Sequence, residues 1–390
     1  MDISYFDNNA TTRVAPEVKK AMMPFLEDLY GNPSSIHDFG GDLIKYVDVA
    51  RKNVAKLIGA SHSTEIIFTS CGTESDNTAV YNALKNYPRK KHIITSKVEH
   101  PAILRHFEQL ERQGYKTTYL DVDRDGLITV EQVLEALTPD TALVSLMWAN
   151  NETGVIFPIK EIGEALADKD LLFHTDAVQA VGKIPINLSQ TKVDMLSLSG
   201  HKIHAPKGIG ALYVRRGIKF KPFIVGGHQE RGRRAGTTPV PNIVALGEAA
   251  KLALEGMDKE SQAIRELRDY FEKEVQTKIR EIEILGHPEK RLPNTSNITF
   301  KYIEGEAILL RLSNENIAAS SGSACSSDSL EPSHVLRSMG LPFELCHSSI
   351  RFSLSKYTTR EEVDYLLAKL PEVIDNLRKI SPFTPAHLLE

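Results

Sequence analysis

Ile66-Ile67-Phe68-Thr69-Ser70-Cys71-Gly72-Thr73-Glu74 passes from an apolar run, through a turn, into a segment of helical spacing that extends to Asn86. The run has strand length, and the order strand, turn, helix repeats along the chain. Similar runs occupy His92 to Thr95, Thr117 to Leu120, Ala142 to Met147, Leu171 to Phe173, Met195 to Leu198 and Ala211 to Val214. A second amphipathic segment runs from Pro101 to Gln113. Apolar strands alternating with such helices predict an α/β fold with a mainly parallel sheet covered on both faces. In sheets of that kind ligands sit beyond the carboxyl ends of the strands.

After Gly217 the pattern changes. Gly226-Gly227 to Gly236 is loop-like and rich in arginine, and a long helical stretch, continuous or interrupted, is expected from about Ile243 to Ile279. Short strands at Asn297 to Phe300 and Ile350 to Leu354, with helices at Glu306 to Leu312 and Arg360 to Leu377, predict a smaller α+β C-terminal domain.

The 390 residues suit two domains. With 47 basic and 51 acidic residues, net charge −4, bulk electrostatics favours neither nucleic acid nor a membrane surface. Three cysteines, Cys71, Cys325 and Cys346, cannot all pair and form no CxxC motif, which speaks for a reducing compartment. No secretory leader or apolar stretch of about 20 residues is visible, so a cytoplasmic location is expected by elimination.

The chemistry collects just after the strands. At Ser70 to Glu74, a tight turn at Gly72 and a capping hydroxyl at Thr73 would present N–H groups suited to a phosphate. Glu99-His100-Pro101 follows the next strand, and Pro101 suits a first helical turn. Asn150-Asn151-Glu152 offers amides that bind a ligand or simply make the turn; Asp176 caps a helix or faces a ligand. Ser199-Gly200-His201-Lys202 places a lysine at a strand end, where desolvation would lower its pKa and favour a Schiff base. Each signal alone has an ordinary structural explanation. Together a phosphate cradle, an imidazole, a carboxylate and a lysine at one sheet edge are the parts that pyridoxal phosphate needs.

The chain at this point resembles the NifS/IscS-type cysteine desulfurases, class-V aminotransferase-like enzymes, from about Tyr5 to Ser381. The resemblance is carried by Asp7-Asn8-Asn9-Ala10-Thr11-Thr12, Gly31-Asn32-Pro33-Ser34-Ser35, Val98-Glu99-His100 and Ala149-Asn150-Asn151-Glu152. His174-Thr175-Asp176-Ala177-Val178-Gln179, Ser199-Gly200-His201-Lys202 and Ser321-Gly322-Ser323-Ala324-Cys325-Ser326 complete it. It implies a fold-type I pyridoxal-phosphate transferase with a seven-stranded sheet. The cofactor domain would span 15–255, and 1–14 with 256–390 would form the small domain carrying the cysteine loop.

The resemblance also implies roles. Lys202 would be the Schiff-base lysine, Asp176 the partner of the pyridinium nitrogen, Gln179 that of the ring hydroxyl, and His100 the ring-stacking group; Lys202 or His100 would move the α-proton. Gly72, Thr73, Ser199 and His201 would hold the phosphate. Thr237, in Arg234-Ala235-Gly236-Thr237, would reach the phosphate of the other subunit, implying a homodimer. Asn151 and Arg351 would hold the substrate carboxylate, a task suited to arginine's fork. The chain departs from the family at Cys71-Gly72-Thr73-Glu74, where Gly-Ala-Thr-Glu is usual. It also departs at Ala235 and Ala205, where serine and glycine are usual.

Cys325 lies in a small, polar segment unlike the apolar surroundings of a structural cysteine. It is the expected carrier of a persulfide, and a candidate transient iron–sulfur ligand; no resident metal is expected. Cys71 and Cys346 are expected to be packing residues. The implied reaction converts L-cysteine to L-alanine. The longer cysteine-loop form resembles the branch serving IscU/NifU-type iron–sulfur scaffolds. Selenocysteine lyase and a sulfur donor for tRNA thiolation are the alternatives. A non-catalytic binding protein is disfavoured because Lys202 and Asp176 are both present. A metal hydrolase finds only His201 and His204, without the remaining ligands.

Overall fold

The computed structural model describes residues 3–321 and 332–389. The strands in chain order are β1 (Ser4–Tyr5), β2 (Ile66–Thr69), β3 (His92–Ser96), β4 (Lys116–Leu120), β5 (Thr141–Ser145) and β6 (Leu172–Asp176). They continue with β7 (Met195–Ser199), β8 (Gly210–Val214), β9 (Ile282–Leu285), β10 (Thr295–Phe300), β11 (Ile317–Ala318) and β12 (Ser349–Ser353).

Seven of them form one sheet in the order β2-β8-β7-β6-β5-β3-β4, as expected for a mainly parallel α/β fold. Only β8 runs against its neighbours, pairing antiparallel with both β2 and β7. Side chains alternate between the two faces of each strand. Ile66, Phe68, Ile94, Val144, Phe173 and Leu196 join one core. Ile67, Ile93, Leu143, Leu172 and Met195 join another, closed by Ala79, Val80 and Ala83 of helix Gly72–Asn86 and Ile103 and Phe107 of helix Pro101–Arg112. Burial on both faces is why these strands read as unbroken apolar runs rather than alternating ones.

A three-stranded antiparallel sheet, β12-β10-β9, builds a third core with helices Gly305–Asn314 and Arg360–Ile380. Thr359 and Glu362 form a capping box at the start of the latter. Phe6 belongs to this core, and β1 pairs parallel with β11. The long helical stretch is present and uninterrupted: Val240–Lys278 is one helix of 39 residues, about 58 Å long. Its first half buries Val240, Leu246 and Ala250 in the first core, and its second half buries Phe271 and Val275 in the third. No helix among the described residues is long and apolar enough to cross a membrane.

Candidate active site

A cavity of about 280 Å³ opens at the carboxyl ends of the parallel strands. Gly72, Thr73, His100, Asn151, Asp176, Gln179, Ser199, His201, Lys202 and Arg351 all line it, so ten positions singled out in the sequence meet in one place. Thr237 is not on its wall and is exposed. Cys325 lies outside the described residues.

The cradle is the N-terminus of the 15-residue helix Gly72–Asn86. The cap differs from expectation. Gly72 and Thr73 are already helical, and the N-cap is Cys71, whose Sγ accepts the Glu74 N–H at 3.4 Å. The extended backbone of Cys71 makes the turn, with φ −170° and ψ 174°. Cys71 therefore caps the helix and also lines the cavity, which is more than packing. A Cβ at Gly72 would stand 2.9 Å from Val178 Cγ2, so glycine keeps the cradle open against the Asp176–Gln179 turn. The cradle is braced from outside by Arg234, which bonds both oxygens of Glu74 at 2.9 and 3.1 Å.

His100 is the N-cap of helix Pro101–Arg112, and its Nδ1 accepts the Ala102 N–H at 3.1 Å. The ring proton of neutral His100 is therefore on Nε2. Burial, with Lys202 and His334 nearby, pushes its pKa down to about 4. His201 is also pushed down to about 4, by burial and then by Lys202, Lys207 and Lys183; its Nδ1 lies 3.1 Å from Thr11 Oγ1. His204 points elsewhere: Nδ1 is bonded to the Arg13 carbonyl at 3.0 Å, and the ring meets Tyr357 edge-on at 5.1 Å.

Asp176 ends β6, and its Oδ1 accepts the Val178 N–H at 2.9 Å, fixing the turn that presents Gln179. Burial raises its pKa to about 6, although the Val178 bond and Lys202 pull the other way. In the Asn150–Asn151 pair the two readings divide. Asn150 Oδ1 makes the turn, accepting from the N–H groups of Glu152 and Thr153 at 2.8 and 3.0 Å. Asn151 faces the cavity. Arg351, only 3% exposed, donates to the Asn151 carbonyl at 3.0 Å and to Asp7 at 2.7 Å. Its Nε is buried and has no hydrogen-bond partner among the described residues.

Several site residues had no role assigned in the sequence. Asn9 uses every polar atom: its carbonyl accepts from Lys202 Nζ at 2.5 Å and Gln179 Nε2 at 2.9 Å, and its Nδ2 donates to the Asn151 carbonyl and to Thr295 Oγ1. Its motif was visible, but its partners lie far along the chain. Asp76 lines the cavity, fully buried, with Oδ1 3.6 Å from His174 Nε2; burial and then Asp176 push its pKa well up. Lys183 is bonded to Gln179 and had no sequence signal beyond its neighbour Gly182.

These residues fit pyridoxal phosphate on the structure's own terms. A glycine-opened helix N-terminus suits the phosphate. A buried carboxylate whose pKa is raised lacks a full cationic partner, which a protonated ring nitrogen supplies. Lys202 lies beside both.

Residues 4–366 match the family model described as aminotransferase class-V. A cysteine desulfurase of Trichormus azollae is 57% identical over 98% of this chain and 96% of its own length. The cysteine desulfurase NifS of Azotobacter vinelandii is 52% identical over 97% of this chain and 94% of its own. A solved NifS-like protein superposes with a TM-score of 0.90 at 39% identity, covering 96% of this chain and 100% of that one. A structure of SspA in complex with cysteine gives 0.80 at 37% identity, over 91% and 100%. With a mainly parallel seven-stranded sheet, a lysine and a carboxylate in one cavity at its strand ends, and relatives matched along almost their whole length, the chain belongs to the aminotransferase class-V family.

Proposed function

We propose that the protein is a pyridoxal-phosphate-dependent cysteine desulfurase that converts L-cysteine to L-alanine and carries the sulfur as a persulfide on Cys325. The observation that carries the reading is the single cavity shared by Lys202, Asp176, His100 and Arg351. Bound pyridoxal phosphate supplies an electron sink for charge released at the substrate α-carbon.

The chain's own residues do the rest. Arg351 and Asn151, both on the cavity wall, hold the substrate carboxylate. Gly72 and Thr73 N–H groups, Ser199 and His201 hold the phosphate. Asp176 keeps the ring nitrogen protonated, and Gln179 bonds the ring hydroxyl. His100 stacks on the ring. Its Nδ1 is committed to Ala102, so the α-proton falls to the Lys202 amine.

The Cys325 thiolate attacks the substrate sulfur: the S–S bond forms as the C–S bond breaks, and the freed carbon takes a proton to become the alanine methyl group. Ser320, five residues before Cys325, exchanges backbone hydrogen bonds with Arg351 on the cavity wall at 2.7 and 3.3 Å. Five residues reach at most about 18 Å. A segment that starts beside Arg351 supports the assignment of Cys325 as the group that attacks the substrate sulfur.

A homodimer is part of the proposal. Thr237 is exposed and off its own cavity wall, available to a partner's phosphate. Leu26, Tyr30, Ile36, Phe39, Ile44 and Val49 expose apolar surface on the N-terminal helices and the connection between them. The Arg51–Glu230 pair joins that region to the segment carrying Thr237. An IscU/NifU-type scaffold is the acceptor class we assign, in the cytoplasm.

The test is alanine formation from L-cysteine with a thiol acceptor, for the wild-type protein and Cys325→Ala. Alanine from the first and almost none from the second is expected. Equal rates would remove Cys325 from the reaction and favour a lyase.

A further inference from the structure

We propose that Lys183 is a positioning residue: it locks the Gln179 side-chain amide so that one Nε2 N–H is reserved for the phenolic oxygen of the bound ring. This deepens the cofactor assignment above and rests on it.

The Gln179 amide has two fixed neighbours. The Asn9 main-chain carbonyl can only accept, and the atom facing it at 2.9 Å is Nε2. Lys183 Nζ donates to Oε1 at 2.7 Å. Both contacts dictate the same orientation. Lys183 Nζ also reaches Asn9 Oδ1 at 3.3 Å, and Asn294 Nδ2 donates to that same oxygen at 3.0 Å. Gln179, Lys183 and Asn9 thus close a ring in which each acceptor meets a donor. After the Asn9 carbonyl is served, Nε2 keeps one N–H, on a residue that lines the cavity.

Lys183 is placed by the backbone. Gly182 has φ +75°, and a Cβ there would meet Ile203 Cγ2 at 2.7 Å. The Lys183 carbonyl accepts from Ser261 Oγ of the long helix at 2.7 Å. Burial, with Lys202 and Arg351 close by, pushes the Lys183 pKa well below the lysine range. Charged or neutral, the amine keeps an N–H for Gln179 Oε1. Without it, Oε1 would be buried with no donor, and the amide could rotate to satisfy itself elsewhere.

The consequence is chemical. An N–H donated to the phenolic oxygen stabilises its anionic form and lowers the pH at which the bound cofactor's visible band titrates. The test is that titration in the wild-type holoenzyme, Lys183→Met, Lys183→Arg, Gln179→Leu and the double variant, with the melting temperature of each apo-protein alongside. Lys183→Met and Gln179→Leu are each expected to raise the midpoint by about one pH unit. The double variant should go no further, since both act through one hydrogen bond. Lys183→Arg keeps a donor, and the adjoining cavity of about 50 Å³, bounded by Lys183, Glu260 and Lys356, leaves room for it; it should restore the wild-type midpoint. Lys183→Gln, polar and one bond too short to reach Oε1, stands in if Lys183→Met does not accumulate folded. A wild-type midpoint in the Met or Gln variant, or additive shifts in the double, would overturn the assignment while leaving the cofactor in place. A wild-type protein that takes up no pyridoxal phosphate would overturn the cofactor reading, and this one with it.

Discussion

Arg351 Nη2 donates to Asp7 Oδ1 at 2.7 Å, so a residue of the N-terminal strap holds the guanidinium on the cavity wall. Asp7 aims the fork, but its charge also competes with a substrate carboxylate for the same cation. The two effects separate by substitution. Asp7→Ala should raise the KM for L-cysteine about tenfold with a smaller change in kcat. Asp7→Asn keeps an acceptor for Nη2 and should stay near the wild-type KM. Steady-state kinetics of both variants decides; a KM unmoved by Asp7→Ala would show that Asn151 alone suffices to aim Arg351.

Gly72→Ala separates helix stability from cofactor fit. Alanine is worth up to about 1 kcal/mol more than glycine within a helix. At this position, however, the new Cβ would stand 2.9 Å from Val178 Cγ2, between the ring carboxylate and Gln179. The apo-protein should melt within a few degrees of wild type, while the dissociation constant for pyridoxal phosphate should rise at least about tenfold. Equilibrium titration of apo-protein at constant pH measures it. Unchanged affinity would mean that Val178 yields freely and that the cradle is looser than its packing implies.

Cofactor uptake should depend on pH through Asp176. Burial lifts its folded pKa to about 6 from 3.8. The native apo-protein therefore holds a proton there that the unfolded chain has lost, and this group favours folding more as pH falls from about 6 toward 4. A protonated ring nitrogen needs the carboxylate, so uptake must expel that proton and weakens over the same window. Between pH 7 and 5.5 the wild-type affinity should fall about threefold more than that of Asp176→Asn. The variant shares the titration of the cofactor phosphate. Parallel pH profiles for the two proteins would exclude Asp176 as the group that titrates.

Much of this site is legible in the sequence, and the reasons it is not wholly so are physical. The parallel strands bury both faces, so each announces itself as an apolar run, and the functional residues stand immediately after them. β9 was missed because Ile282–Leu285 is only half-buried on an outer strand and includes Glu283. The reversed direction of β8 leaves no trace in composition, because a strand buried on both faces reads alike in either direction. The cap at Cys71 was missed because sulfur is an uncommon acceptor at an N-cap, and Thr73 has the preferred chemistry. Asn9 and Lys183 were given no role because hydrogen-bonded rings join residues such as Asn9 and Asn294, 285 positions apart, and no local pattern records that closure.

The crossing of helices Ile44–Leu57 and Val240–Lys278 yields a prediction about the scaffold alone. Gly247 sits where they meet: a Cβ there would lie 2.4 Å from Ala50 Cα and 2.5 Å from Ala50 Cβ. The obstacle is largely backbone, so no rotamer relieves it, and the helices must move apart. Gly247 is in a helix interior, where alanine has the better intrinsic propensity by about 1 kcal/mol. Overpacking of a buried contact costs about 1–3 kcal/mol, and a clash with main chain belongs at the upper end. The balance is a loss of roughly 1–2 kcal/mol. Denaturant unfolding of Gly247→Ala should show that loss against wild type, and Gly247→Leu a larger one. Stabilisation by alanine would mean that the helices slide apart at little cost, and that propensity outweighs packing at this crossing.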